Sequence, residues 1–351
     1  MEKKIIKKQS LGAWFQAIKA GGQRLLGPVE KNGQTTYDEI ASPADMVKDY
    51  VQTTTSAKSV VFPATEEIVR YRNEGKDVVM EDIKPPAPPT VVFGVRPCDA
   101  ASFAILDSVF SWDYKDVFFK ARLEATTIIG LACTKFDEYC FCTSVGLSPG
   151  ETKGSDILLT PIGREGEAPA SPIDAEQYLA EIVTDKGKKI ADLAANLFTA
   201  EGNVDKAKVL AKVPARFEQK KLTDKLPALF AKENAWVDQS LACLGCGACA
   251  FVCPACVCFD IQDETGKSGG KRVRCWDSCG FGLFTLHTSG HNPRPVQSQR
   301  WRQRVMHKFS YFPERLGYLG CVGCGRCSRA CPADMDLAEH LNALVEVSDG
   351  Q

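Results

Sequence analysis

The sequence has almost no net charge, few histidines, no phosphate-cradling glycine motif and no clean membrane segment. A formal charge of −1 over 351 residues provides no basic field of the kind that nucleic-acid binding requires. No G-x-G-x-x-G opens a helix after a strand, so a dinucleotide site on this chain is not expected. The one long uncharged run, Leu241 to Phe259, owes its length to Cys, Gly and Ala and contains Pro254. Metal ligation accounts for it better than a membrane span does. The basic start, Met1-Glu-Lys-Lys-Ile-Ile-Lys-Lys, lacks an apolar core and a small-residue cleavage site. Neither a secretory nor a twin-arginine signal is expected, and a reducing, cytoplasmic setting is. At 44% hydrophobic and 25% charged residues, the composition is that of an ordinary globular protein of two or three domains.

What stands out is sixteen cysteines. In a small secreted chain they would imply disulfides; here they are bunched at metal-ligand spacings in a long chain. Cys243-Leu-Gly-Cys246-Gly-Ala-Cys249-Ala-Phe-Val-Cys253-Pro254 spells C-x2-C-x2-C-x3-C-P, and the same spelling returns from Cys321 through Cys324, Cys327 and Cys331 to Pro332. Two copies are the signature of a two-cluster iron–sulfur module, in which the fourth cysteine of each run serves the other cluster. The expected ligand sets are Cys243, Cys246, Cys249 and Cys331 for one [4Fe-4S] cluster, and Cys321, Cys324, Cys327 and Cys253 for the other. Zinc also uses C-x2-C pairs, but needs neither the third cysteine at that spacing nor the C-P ending.

Residues 10–26 read as a short amphipathic helix with Leu11, Trp14, Phe15 and Ile18 on one face. Leu25–Val29 and Thr35–Ile40 flank the hairpin signal Asn32-Gly33. A helical pattern is expected around Glu66 to Tyr71. Thr90 to Arg96 reads as an apolar strand of a buried parallel sheet, followed by a helix with Asp99 as its N-cap and Phe103, Leu106 and Phe110 at helical spacing. Further strands are expected at Ala125 to Ala132 and Asp156 to Thr160. The alternation predicts an α/β domain over 1–165, whose ligand sites lie beyond the carboxyl ends of its strands. Cys98 and Cys133 fall at that edge, with Cys140 and Cys142 in the loop beside it. These four could hold a third [4Fe-4S] cluster. A structural zinc, a redox-active thiol pair and inert buried thiols are the alternatives, and Arg96 could hydrogen-bond a cluster sulfide there or an incoming partner, or simply pair with Asp99. Gly150 to Pro172 reads as a loop. Residues 166–235 are expected to form a helical connector, helical from 174 and broken near Gly187, Gly202 and Pro214.

The C-terminal unit, 236–351, is expected to be an α+β two-cluster ferredoxin-like domain with a Cys-rich insertion at 254–320. The insertion carries the remaining cysteines, Cys256, Cys258, Cys275 and Cys279. A fourth cluster would use all of them, with Cys275 its weakest member; alternatively one or two simply pack as small hydrophobes. Lys271-Arg-Val-Arg274, Arg300-Trp-Arg302-Gln-Arg304 and His307-Lys308 make the insertion basic. Such groups could offset cluster charge or dock an acidic partner, or their stems could merely cover apolar surface.

Val95-Arg-Pro-Cys98-Asp99, Cys140-Phe-Cys142, Ala255-Cys256-Val-Cys258-Phe-Asp260, Trp276-Asp-Ser-Cys279 and Ser289-Gly-His-Asn-Pro-Arg294, together with the run at 243–254, resemble the iron–sulfur β subunit of cytoplasmic sulfhydrogenases. They are similar also to the matching iron–sulfur subunit of anaerobic sulfite reductase and to electron-input modules of heterodisulfide-reductase-like complexes. The resemblance covers about residues 25–335 and is weakest in the connector. It implies a non-catalytic electron-transfer subunit set between a flavin- and NAD(P)H-binding subunit and a catalytic reductase or hydrogenase subunit. A rival reading makes the chain a redox enzyme whose N-terminal four-cysteine site is an open cluster or thiol centre. A zinc-containing interaction protein is disfavoured by the doubled run.

Overall fold

A computed structural model describes residues 1–200 and 204–347. The N-terminal part is built on an eight-stranded mixed sheet. Its strands are β1 (Glu2–Lys7), β2 (Arg24–Lys31) and β3 (Gln34–Glu39). β4 (Thr65–Glu74) and β5 (Asp77–Glu81) belong to a second sheet. The first continues with β6 (Thr90–Val95), β7 (Thr126–Leu131), β8 (Ile157–Ile162), β9 (Gln177–Ile182) and β10 (Phe198–Ala200). The strand order is β10-β1-β9-β8-β7-β6-β2-β3. β2, β6, β7 and β8 run parallel, and the flanking strands run antiparallel. Every residue of β6, β7 and β8 is buried, as expected where helices cover both faces. Trp14, Phe15 and Ile18 pack on one face with Phe93, Ile129 and Leu159; Phe103, Leu106 and Phe110 pack on the other with Val92 and Ile128.

The hairpin at Asn32-Gly33 and the strands around 90–95, 126–131 and 157–162 match expectation. Other readings differ. The first helix spans only Leu11–Ala20, because Arg24 already starts β2. Glu66 to Tyr71 is strand, not helix: β4 is held between β5 and an insertion strand, and its Glu66 is buried beneath two arginines. Asp99 is not the N-cap; Arg96 occupies that position and Asp99 lies within the helix Pro97–Phe110. The connector is only partly helical. Its buried run Tyr178–Ile182 is inserted into the sheet between the preceding strand β8 and β1, which lies far away in sequence. Gly187 sits inside the helix Asp185–Asp192, where an added Cβ would meet the Asp156 carbonyl oxygen at 2.1 Å. The expected break near Gly202 lies outside the described residues.

The insertion also departs from expectation. It folds back as the hairpin β11 (Phe259–Gly266) and β12 (Gly269–Trp276), which joins β4 and β5 in a four-stranded antiparallel sheet ordered β11-β12-β4-β5. The junction is ionic as well as backbone-paired. Arg274 of β12 meets Glu66 and Asp116, and Arg122 Nη1 donates to Glu66 at 2.5 Å, all largely buried. After the hairpin comes the helix Gln297–Met306, a π-helical turn His307–Tyr311 and the helix Phe312–Leu316. This segment and the helices Gln219–Leu229 and Leu337–Glu346 enclose a separate core around Trp236, Trp301, Val305 and Phe309. No helix among the described residues is long and apolar enough to cross a membrane.

Candidate metal centre

The two runs produce two thiol-lined cavities. Six cysteines line the first, of about 50 Å³: Cys243, Cys246, Cys249, Cys279, Cys327 and Cys331. Cys253, Cys321, Cys324 and Cys327 line the second, of about 10 Å³. Each lining includes three cysteines of its own run and the fourth of the other, and the first includes Cys279 and Cys327 as well. Arg304 and Cys327 line both, so the cavities are next-door neighbours. Neither lining includes a carboxylate.

The donor set suits thiolate-bound iron. Gln297 Nε2 donates to Cys243 Sγ at 3.0 Å, and Lys308 Nζ to Cys253 Sγ at 3.4 Å. The Gly323 amide donates to Cys321 Sγ at 3.5 Å. Donors aimed at sulfur favour the thiolate and stabilise the added charge of a reduced cluster. Without metal, burial holds the Cys249 and Cys321 thiols above their ordinary value and pushes Cys327 up to about 12. Ligation must displace these protons. No group of described residues is arranged to hold a single metal ion. A cubane, by contrast, takes each thiolate on a different iron.

The N-terminal cysteines meet at the carboxyl edge of the large sheet. Cys98 lies in the first turn of the helix that follows β6, Cys133 follows β7, and Cys140 and Cys142 lie in the next loop. Burial raises all four thiols, Cys140 to about 11 and Cys142 to about 12. Cys98 and Cys142 additionally feel Cys133, and Cys142 feels Cys140. Again nitrogen donors point at sulfur: Gln52 Nε2 to Cys98 at 2.8 Å and Arg329 Nη2 to Cys140 at 3.3 Å.

This edge is fastened to the second run. Arg326, between Cys324 and Cys327, is 2% exposed and makes a two-pronged pair with the fully buried Asp99, at 2.8 and 2.9 Å. The Arg96–Asp99 pair considered from sequence is absent. Arg96 instead donates to the carbonyls of Tyr50, Val51, Leu131 and Ala132, and stacks on the Tyr50 ring. That places it beside Cys133, whose charge it favours, rather than toward a partner. Phe141 N donates to Gly323 O at 2.9 Å, so the two cysteine loops touch through backbone.

The insertion cysteines do not form one set of four. The thiol of Cys258 is paired with that of Cys279 and the thiol of Cys256 with that of Cys253, and Cys256 is near enough to Cys258 and Cys279 to act on both. Cys275 stands apart on β12, opposite Asp260 and Thr65.

The comparisons with known proteins agree with this chemistry. A family model described as a 4Fe-4S dicluster domain matches residues 242–335. Over 345 residues the chain is 30% identical to "Sulfhydrogenase 2 subunit beta" of Pyrococcus furiosus, covering 96% of each chain. The chain belongs to the sulfhydrogenase β-subunit family. It is thus an iron–sulfur, [4Fe-4S]-type electron-transfer subunit of a hydrogenase-type oxidoreductase. No solved structure matches it.

Sequence reasoning does not pick out Gln52, Lys58, Gln297, Arg326 or Arg329, and it pairs Asp99 with Arg96 where the structure pairs it with Arg326. Only Arg326 and Arg329 carry a signal, being arginines inside a cysteine run.

Proposed function

We propose that this subunit relays single electrons between a flavin- and NAD(P)H-binding subunit and a catalytic reductase or hydrogenase subunit in a reducing, cytoplasmic setting. Cys243, Cys246, Cys249 and Cys331 would hold one [4Fe-4S] cluster, and Cys253, Cys321, Cys324 and Cys327 a second. Cys98, Cys133, Cys140 and Cys142 would hold a third. A bound [4Fe-4S] cluster supplies a centre that takes up and releases one electron. The residues of the chain hold, insulate and tune these centres. The observation that carries the reading is contiguity. The two run cavities share Arg304 and Cys327, and the second is joined to the N-terminal cysteines through Arg326–Asp99 and Phe141–Gly323.

A redox enzyme working at the N-terminal cysteines finds less support. Cys98 and Cys142 are buried, and Cys98 faces Cys324 rather than solvent. Iron and acid-labile sulfide in anaerobically purified protein, with EPR after reduction, test the reading. Three clusters require about 12 Fe per chain, and more if the insertion binds iron; about 8 removes the N-terminal cluster. Zinc without iron overturns the proposal altogether. Co-purification with a flavoprotein and a catalytic subunit is the expected assembly.

A further inference from the structure

Three cations are buried in the middle of the cysteine-rich region: Lys58 at 2% exposure, Lys308 at 4% and Arg304 at 5%. None has a carboxylate partner among the described residues. An uncompensated buried charge costs several kcal/mol, so each implies an anion nearby. The two run cavities account for Arg304, which lines both, and for Lys308, which lines the second. Lys58 lines neither. It reaches across from the N-terminal domain, donates to Cys256 O at 3.1 Å and lies 3.8 Å from the centre of the Trp276 ring. The thiols that act on Lys58 are Cys256 first, then Cys253 and Cys258, so two of the three belong to the insertion.

Four thiols there are left over from the runs. Cys256 sits just past Cys253, and Arg304 Nη1 approaches its sulfur at 3.8 Å. Cys258 is held against the segment containing Cys279 by the Asp277 amide, which donates to Cys258 O at 3.0 Å, and by the bond between the two thiols. Cys275 faces away, and its charged neighbours are Asp260, Glu264 and Asp277 rather than any thiol.

We propose that Cys256, Cys258 and Cys279 hold an additional [4Fe-4S] cluster through three thiolates, with Lys58 as its counter-charge and one iron free of cysteine. The inference rests on the iron–sulfur reading of the chain. Three thiol protons leave as the sulfurs bind iron. A doubly positive cluster core with three thiolates carries one net negative charge, which the single ammonium of Lys58 offsets. Val257, between two of the ligands, lines a surface cavity of about 610 Å³ together with Trp112, Gln303, His307 and Tyr311. None of the three cysteines lines that cavity; Val257 is the residue that brings solvent next to the site.

The full chain is reconstituted anaerobically as wild type, Cys256→Ser, Cys258→Ser, Cys279→Ser, Cys275→Ser and Cys98→Ser, and read by iron content and by EPR after mild oxidation. Wild type should show a three-iron signal, the mark of a cluster that has lost one unprotected iron. Cys256→Ser, Cys258→Ser and Cys279→Ser should each lose about 4 Fe per chain together with that signal, while the reduced spectra of the two run clusters persist and report an intact fold. Cys275→Ser should lose neither. Cys98→Ser is scored independently: it should lose N-terminal iron and keep the three-iron signal, so a failure of the third cluster is distinguishable from a failure of this one. Lys58→Met should keep the iron and lower the reduction potential of this cluster more than that of the second-run cluster, whose ligand Cys253 also feels Lys58. Equal iron loss in Cys275→Ser and Cys258→Ser, or no loss in Cys258→Ser and Cys279→Ser, overturns the proposal.

Discussion

The two cysteine runs share one spelling and have opposite surroundings. Leu244, the residue after the first cysteine, is 71% exposed, while its counterpart Val322 is 2% exposed. Cys246 is exposed and Cys324 buried. Ala248 occupies the position at which the second run has Arg326. One run thus opens at the surface, among exposed Leu241 and Leu244, and the other is fixed into the interior against the N-terminal cysteines. The motif sets how cysteines wrap a cluster; the residues between them set whether that cluster faces a partner or another cluster.

The largest effect expected of breaking this difference is at Arg326. Arg326→Ala leaves Asp99 charged and buried with only Ser56 and the Ala57 amide as partners. Loss of one member of a buried pair costs about 3–5 kcal/mol. Anaerobic thermal unfolding should show that loss, and the EPR features of the proposed N-terminal cluster should change with those of the second run. Ala248→Gly, at the matching position of the first run, should cost about 1 kcal/mol or less.

Next in size is a pair of glycines. Gly245 and Gly323 are equivalent and both left-handed, with φ of +66° and +63°. A Cβ on Gly323 would lie 2.6 Å from the Cys142 backbone, whereas on Gly245 its nearest neighbour is the end of the Gln297 side chain at 3.2 Å. Gly245→Ala should cost only the backbone term of about 1–2 kcal/mol. Gly323→Ala adds an overlap that neither loop can relieve without moving Cys142, so iron analysis should show N-terminal iron lost along with stability. Equal losses in the two variants would show that the loops are not packed as described.

How far the sequence can be read follows from the range over which each feature is determined. The runs are local, and each cavity lining contains the four cysteines that the spacing assigns to it, with Cys279 and Cys327 also lining the first. The parallel strands at 90–95 and 126–131 are continuous apolar runs that need no partner to be recognised. β4 is not legible as a strand because its polar string TEEIVRYRNE becomes one only between β5 and β12, with Glu66 neutralised by arginines far away in sequence. β9 is hidden for a similar reason: its strand neighbours, β1 and β8, lie on either side of it in space and one of them is the N-terminus. Cys275 looks like a fourth insertion ligand by count; only the pleat of β12 shows that it points away from the other thiols. Lys58, a lone lysine in an unremarkable segment, carries no signal at all.

Exposure also predicts an order of loss. An iron chelator added to the oxidised protein should attack the first-run cluster before the second, because Cys246 is exposed while Cys324 and Cys253 are buried. Parallel EPR of both clusters during bleaching reads this directly, and simultaneous decay would erase the proposed division between a surface centre and an interior one.

The smallest effects are on potential, and they compare the donors at the two runs. Cys243 receives a neutral amide from Gln297, and Cys253 receives the buried ammonium of Lys308, which the thiols of Cys253 and Cys256 help to keep protonated against burial. A neutral hydrogen bond is worth about 1 kcal/mol, or about 40 mV for one electron, and one from a charged group about 1.5–3 kcal/mol, or roughly 60–130 mV. Gln297→Leu should therefore lower the potential of the first-run cluster slightly, and Lys308→Met that of the second-run cluster by roughly two to three times as much, in redox titrations followed by EPR. The sign follows from charge: reduction adds an electron, and removing a donor to the ligating sulfur destabilises the reduced form more than the oxidised one. If the two shifts are equal, Lys308 is neutralised elsewhere, and the interior centre is set apart by burial alone.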